Sequence, residues 1–262
     1  MNALEIVSYI LGWAYFTAWS FSLYPQLYLN WRRRSVRGLS PDYLSYSVIG
    51  FFCYAIFTLA FYCNKEIQDE YGRRHDAANL VRLNDVAFAV HGLIASLLLL
   101  WQTYIYKGSQ RHLAPVTAIV IWLTSILGLL ILFSVHYGNS EWIHLMYFLS
   151  YVQLGSNAFK FLPQIWLNYK RKSTQGWSVY LILLDTMGGI LSIIQLIVDA
   201  YIENDWSGIS GDSVKLGLGA ISIVYGLLFL MQKYIIYPQP SEEEVSPLLG
   251  SAHSNHHGST GI

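Results

Sequence analysis

One short pattern occurs twice in this chain, in the same register each time. Pro25-Gln26 returns as Pro163-Gln164, and Asn30 as Asn168. The run Arg32-Arg33-Arg34-Ser35 returns as Lys170-Arg171-Lys172-Ser173, and Gly38 and Ser40 as Gly176 and Ser178. Chance does not readily give so many matches at one spacing, so the chain carries an internal repeat and must fold as two like units. Each copy sets a proline and carboxamides inside an apolar run and leaves that run through cations.

That run is the second constraint. The chain is 262 residues long, 54% hydrophobic and only 12% charged, too apolar for an ordinary soluble domain. A formal charge of zero argues for neither a nucleic-acid nor an acidic partner, and no nucleic acid is expected. Seven stretches, near 6–30, 43–63, 85–106, 114–136, 143–168, 178–201 and 214–237, each reach the ~20 residues that cross a bilayer. The first continues into Pro25-Gln26 and a basic loop, so it reads as a retained helix rather than a signal peptide. The fold class expected is all-α, a polytopic membrane protein of seven transmembrane helices in membrane lipid. Its transmembrane domain covers 1–237: repeat one about 6–106, a joining helix about 114–136, and repeat two about 143–237. A single joining helix gives both units the same orientation, a parallel repeat with substrate held between the halves. Lys and Arg favour one side of this arrangement by ten to five (Lys160 lies within a span), which predicts that side to be cytosolic and the amino terminus luminal. The mixed-charge stretch from Lys65 to Arg82 reads as the longest loop.

Gln153, Asn157, Lys160, Gln164 and Asn168 fall three or four residues apart, one polar stripe along the fifth span. Pro163 removes a backbone donor within it and loosens the turn before it, as Pro25 does in the first span. Polar stripes can be packing glue between helices, but a lysine inside the membrane points to a substrate path. Lys160 and Asp185 lie at a matched depth of roughly 10–14 Å from the same side, by helical rise. They can pair as a simple lock between helices or meet opposite charges on a substrate. Gln26 and Asn30, the first-repeat counterparts of Gln164 and Asn168, are candidate lining residues too. Asp85 opens the third span: it could cap the helix, or take up a proton as a desolvated carboxyl facing an acidic compartment. Cys53 and Cys63 are ten residues apart on one helix and too distant to bridge. Trp31, Trp101, Tyr106, Trp142, Tyr169 and Trp177 lie near span ends, as interfacial aromatics do. No metal cluster, catalytic triad or phosphate loop is visible, so neither an enzyme nor a cofactor is expected.

After Tyr237 the chain turns polar, and 238–262 reads as a disordered cytosolic tail. Glu244, four residues before Leu248-Leu249, resembles an acidic dileucine sorting signal, with a clathrin-type adaptor as its partner.

Tyr24-Pro25-Gln26, Asn30-Trp31-Arg32-Arg33 and Gly38-Leu39-Ser40 resemble the first PQ-loop of the cystinosin family of lysosomal cystine exporters. Lys160, Pro163-Gln164, Asn168, Gly176-Trp177-Ser178, Leu183-Leu184-Asp185 and Gly188-Gly189 resemble the second. Asn84-Asp85-Val86 with His91, and Phe229 with Gln232, match as well. The resemblance implies export of L-cystine with protons from a lysosome or vacuole. It places Lys160, Gln164, Asn168 and Asp185 at the substrate and Asp85 and Asp185 on the proton path. The family carries asparagine where this chain has Leu181 and aspartate where it has Gly226. A carrier of cationic amino acids or sugars, or a sorting receptor that transports nothing, stays open on the same residues.

Overall fold

The computed structural model describes residues 3–75, 81, 83–106, 112–203 and 213–238. Among these the regular elements are all helices: α1 (Ala3–Phe21), α2 (Tyr24–Arg33), α3 (Pro41–Cys63), α4 (Lys65–His75), α5 (Leu83–Ile105), α6 (Pro115–His136), α7 (Trp142–Phe159), α8 (Phe161–Arg171), α9 (Val179–Glu203) and α10 (Ser213–Met231), with a π-helical turn at Gln232–Ile236. The protein is a polytopic membrane protein. Among the described residues six helices are long and apolar enough to cross a bilayer: α1 running into α2, then α3, α5, α6, α9 and α10 running into its π turn. The α7–α8 pair, where the seventh span was expected, is not among them; its polar stripe lowers its hydropathy. The candidate sorting signal at Glu244, Leu248 and Leu249 lies outside the described residues.

Both prolines sit where one helix gives way to the next. Pro25 lies in the first turn of α2, where its missing N–H costs nothing. At the α7–α8 break the Tyr225 hydroxyl donates to the Ala158 carbonyl (2.7 Å), occupying an oxygen beside the loosened turn. After the break both helices end alike. Arg34 and Lys172 cap them in the left-handed conformation, at φ 49° and 51°, a common way to stop a helix.

The helices pack across the repeats. α1 lies along α9 and α7 along α3, while α3 also packs on α5 and α9 on α10. The first helix of each repeat therefore rests on the second helix of the other. Small residues permit close approach: a Cβ at Gly50 would press on Ser156 of α7, and one at Gly189 on the Gly219 carbonyl of α10.

One expectation is corrected. Residues 65–75, read as part of a loop, form α4, which is anchored to α7. Ile67 is buried in the cluster that holds Ile143 and Met146. Glu70 accepts a hydrogen bond from the Ile143 N–H (2.8 Å), satisfying a donor of the first turn of α7, the usual task of a cap. Outside, Arg74 donates to Glu141 (2.7 Å). That hydrogen bond holds the Glu141 carboxyl below its ordinary pKa, with the Arg74, Arg73 and His144 charges adding to it.

Candidate functional site

The two ends of the bundle differ. At the end where α2 and α8 stop, the 34–40 and 172–178 loops cross and hold each other. Gln26 accepts from the Ser178 N–H (2.8 Å) and donates to the Gly176 carbonyl (3.0 Å). Gln164 accepts from the Ser40 N–H (2.7 Å) and donates to the Gly38 carbonyl (2.8 Å). Each glutamine of one repeat thus clasps the loop of the other. A carboxamide suits this task because it offers an acceptor and donors on one planar group. Behind them Asn30 donates to Gln102 (2.8 Å) and Asn168 to Gln232 (3.0 Å). Gln26, Gln164 and Asn168 are 0% exposed and Asn30 1%. These four expected lining residues therefore lie outside the cavity described next, bonded to protein groups.

Under the clasps is an apolar plug. Trp177 meets Tyr43 edge-on at 4.9 Å and lies tilted against Phe229 at 5.3 Å, and Tyr43 stacks on Phe161 at 5.6 Å. Leu181 is buried in the same cluster. Trp177, expected among the interfacial aromatics, is instead buried here, while Trp31, Trp101 and Tyr169 are exposed.

Beyond the plug a cavity of 670 Å³ runs toward the end where α1 begins. Lys160, Asp185 and Asp85 line it, with Gln153, Asn157 and Ser222. Lys160 Nζ donates to Asn157 (3.1 Å) and lies 4.9 Å from the Phe161 ring centre. Lys160 and Asp185 share the cavity, but no direct ion pair joins them among the described residues. Trp19 Nε1 donates to the Asp185 backbone carbonyl (3.0 Å), fixing that turn of α9. The stripe on α7–α8 is therefore divided at the helix break, Gln153 to Lys160 toward the cavity and Gln164 and Asn168 into the clasps. His91 turns away and bonds the Tyr24 hydroxyl (2.8 Å).

The charge is asymmetric although the backbone repeats. In the register of the repeat Ser22 corresponds to Lys160 and Ser47 to Asp185, so repeat one carries hydroxyls at the positions where repeat two carries ionisable groups. At Gly226 a Cβ would collide with the Thr186 hydroxyl, which donates to the Ile182 carbonyl (2.8 Å). Thr186 fills the space that a side chain at 226 would take.

The sequence reading missed the aromatic wall, with Trp13, Tyr15, Phe16, Trp19, Tyr54 and Phe88 all lining the cavity. Nothing in their spacing separates them from lipid-facing aromatics.

The PQ loop repeat family model matches residues 7–67 and 145–205, the two copies of the pattern. A cystinosin homolog of Dictyostelium discoideum is 39% identical over 93% of this chain and 86% of its own length. The chain belongs to the cystinosin family. Cystinosin of Drosophila melanogaster is 38% identical over 94% of this chain, which spans 62% of the fly protein's length. A Saccharomyces cerevisiae protein named as a cystine transporter is 28% identical, over 86% of this chain and 92% of its own. The two segments that match the repeat model contain both clasping glutamines, Gln26 and Gln164, and both crossing glycines, Gly38 and Gly176.

Proposed function

We propose that this chain exports L-cystine, together with protons, from the lumen of a lysosome or vacuole to the cytosol. The observation that carries the reading is a cation and a carboxylate, Lys160 and Asp185, lining one cavity in a chain of this family. Cystine bears carboxylates and ammonium groups. Lys160 meets a carboxylate and Asp185 an ammonium, with Asn157 and Gln153 as neutral hydrogen-bonding partners. The excess of Lys and Arg at the clasped end makes that end cytosolic and the open mouth luminal. The amino terminus is then luminal, the carboxyl terminus cytosolic, and α7–α8 the seventh span of the 3+1+3 arrangement.

Export requires the clasped end to part. Gln26, Asn30, Gln164 and Asn168 then lose their partners and become polar lining for the departing substrate, while Pro25 and Pro163 mark the turns about which the helices bend. Asp85, on the luminal approach, accepts the proton, and Asp185 follows it. Glu244, Leu248 and Leu249 address the protein to the organelle through a clathrin-type adaptor.

Labelled uptake into vesicles, with cystine set against cationic amino acids and sugars, tests this. Cystine uptake stimulated by acid on the luminal face is the expected result. Preference for a sugar or a cationic amino acid, or no transport at all, would overturn it.

A further inference from the structure

Asp85 stands in the walls of two spaces at once. One is the central cavity. The other is a cleft of 260 Å³ between α3, α4 and α5, lined by Tyr54, Phe57, Thr58, Phe61, Tyr71 and Val81 as well as Asp85. Tyr54 and Asp85 are common to both and form the partition between them. The spaces serve the same end of the molecule from different sides. The central mouth lies among Tyr9, Gly12, Gln195 and Leu218; the cleft lies where α3 ends and α5 begins, beneath α4.

The cleft has the size and the lining to be wet. A water takes about 30 Å³ of liquid and needs two to four polar partners; Tyr54, Tyr71 and Asp85 bring such groups, while the Thr58 hydroxyl donates to the Tyr54 carbonyl (2.9 Å) and is left to accept. It is also held in shape, because the Glu70 cap on Ile143 N–H (2.8 Å) and buried Ile67 fix α4 over it. Among titratable groups, Asp85 shares the cleft with Tyr54 on α3 and Tyr71 on α4. Across the central cavity it shares lining with Tyr9 and Tyr15 on α1, Lys160 on α8's leading edge and Asp185 on α9.

We propose that this cleft is a water route to Asp85 separate from the substrate's route, through which the carboxyl exchanges its proton while the central cavity is filled. The inference rests on Asp85 being the proton acceptor of the reading above. With one mouth only, bound cystine would seal the carboxyl and impose an order, proton first. With two, proton and substrate bind in either order, and acid stimulates transport even at saturating substrate.

Filling the cleft without touching the central cavity tests this, through Thr58→Leu from α3 and Val81→Phe from the chain before α5. Uptake is measured at low and saturating cystine, at acidic and neutral luminal pH. Wild type should keep its acid stimulation at both concentrations; the filled variants should keep it at low cystine and lose it severalfold at saturation. Unchanged stimulation at saturation in both variants overturns the route. Should the variants fail to fold, carbodiimide-driven coupling of glycinamide to Asp85 of the wild-type protein reads access directly. Labelling that persists under saturating cystine supports the route, and protection by cystine overturns it. Cystine uptake without acid stimulation in wild type would instead refute the proton coupling of the reading above. The cleft is then read by labelling alone: Asp85 should remain labelled in Leu218→Trp, which obstructs the central mouth, and loss of labelling there overturns the route.

Discussion

Gly38 and Gly176 face each other where the two repeats cross, and neither position has room for a Cβ. Gly38 has φ 111° and Gly176 φ 91°, backbone that side chains avoid. A Cβ on Gly38 would strike the Gln175 carbonyl and come within 3.0 Å of the Gly176 Cα; one on Gly176 would strike the Arg37 carbonyl. The clasped end is thus closed by backbone on backbone, with the glutamines fastening it on either side.

Gly176→Ala combines a disfavoured backbone conformation, about 1–3 kcal/mol, with a direct clash. The closed arrangement should be lost before the helices are. Thermal melting in detergent should fall, and a cysteine placed at Ser178, now buried, should become reactive to a water-soluble thiol reagent. Wild-type melting with Ser178→Cys unreactive would contradict the crossing.

Gln164→Leu removes the partner of the Ser40 N–H and the Gly38 carbonyl together. Each buried group left unpaired costs ~1–3 kcal/mol, so the clasp should open. Gln26→Leu should do the same to Ser178 and Gly176. Cystine uptake should fall at least tenfold in each, since one lost kcal/mol and a half is about a factor of ten in a two-state balance; equal uptake would show that the clasps carry no part of the cycle.

Lys160→Ala should abolish cystine uptake while the protein stays folded and correctly placed, because the clasps and the apolar plug do not include Lys160. Wild-type-like uptake by this variant would remove Lys160 from the substrate's path.

Asp85→Asn should still bind cystine but lose the dependence of transport on luminal pH. Uptake should be followed at luminal pH from about 5 to 7.5, acidic to neutral. Full pH dependence in Asp85→Asn would move the proton to Asp185.

The Arg74–Glu141 contact sets a further pH response. The Glu141 carboxyl is held below its ordinary range, chiefly by the hydrogen bond from Arg74. Such a group stabilises the fold above its unfolded pKa, and the contribution disappears as pH falls through the folded value. Hydrogen exchange of α4 should therefore be insensitive to this pair's loss below the carboxylate range. At neutral pH Glu141→Gln should speed it modestly, since exposed pairs contribute little. A large effect persisting at low pH would contradict the assignment.

The chain alone makes the repeat, the helical character and the membrane class legible. Those properties are local: hydropathy, run length and the spacing of Pro25-Gln26 and Pro163-Gln164 are written along the chain. It also marked Lys160 and Asp185, because an ion in an apolar run stands out without any fold. Which polar groups face the cavity depends on how the helices pack. Gln153, Asn157, Lys160, Gln164 and Asn168 share one helical stripe, yet the break at Lys160 and the crossing of the loops send the last two into the clasps. α4 escaped the reading because a short, polar helix is held by its neighbour α7, through Ile67 and Glu70, rather than by its own periodicity. The aromatic wall escaped it for the same kind of reason. Lipid and cavity are both apolar enough for Trp13, Phe16 or Trp19, and only the packing of α1 along α9 rather than α3 fixes the surroundings those rings meet.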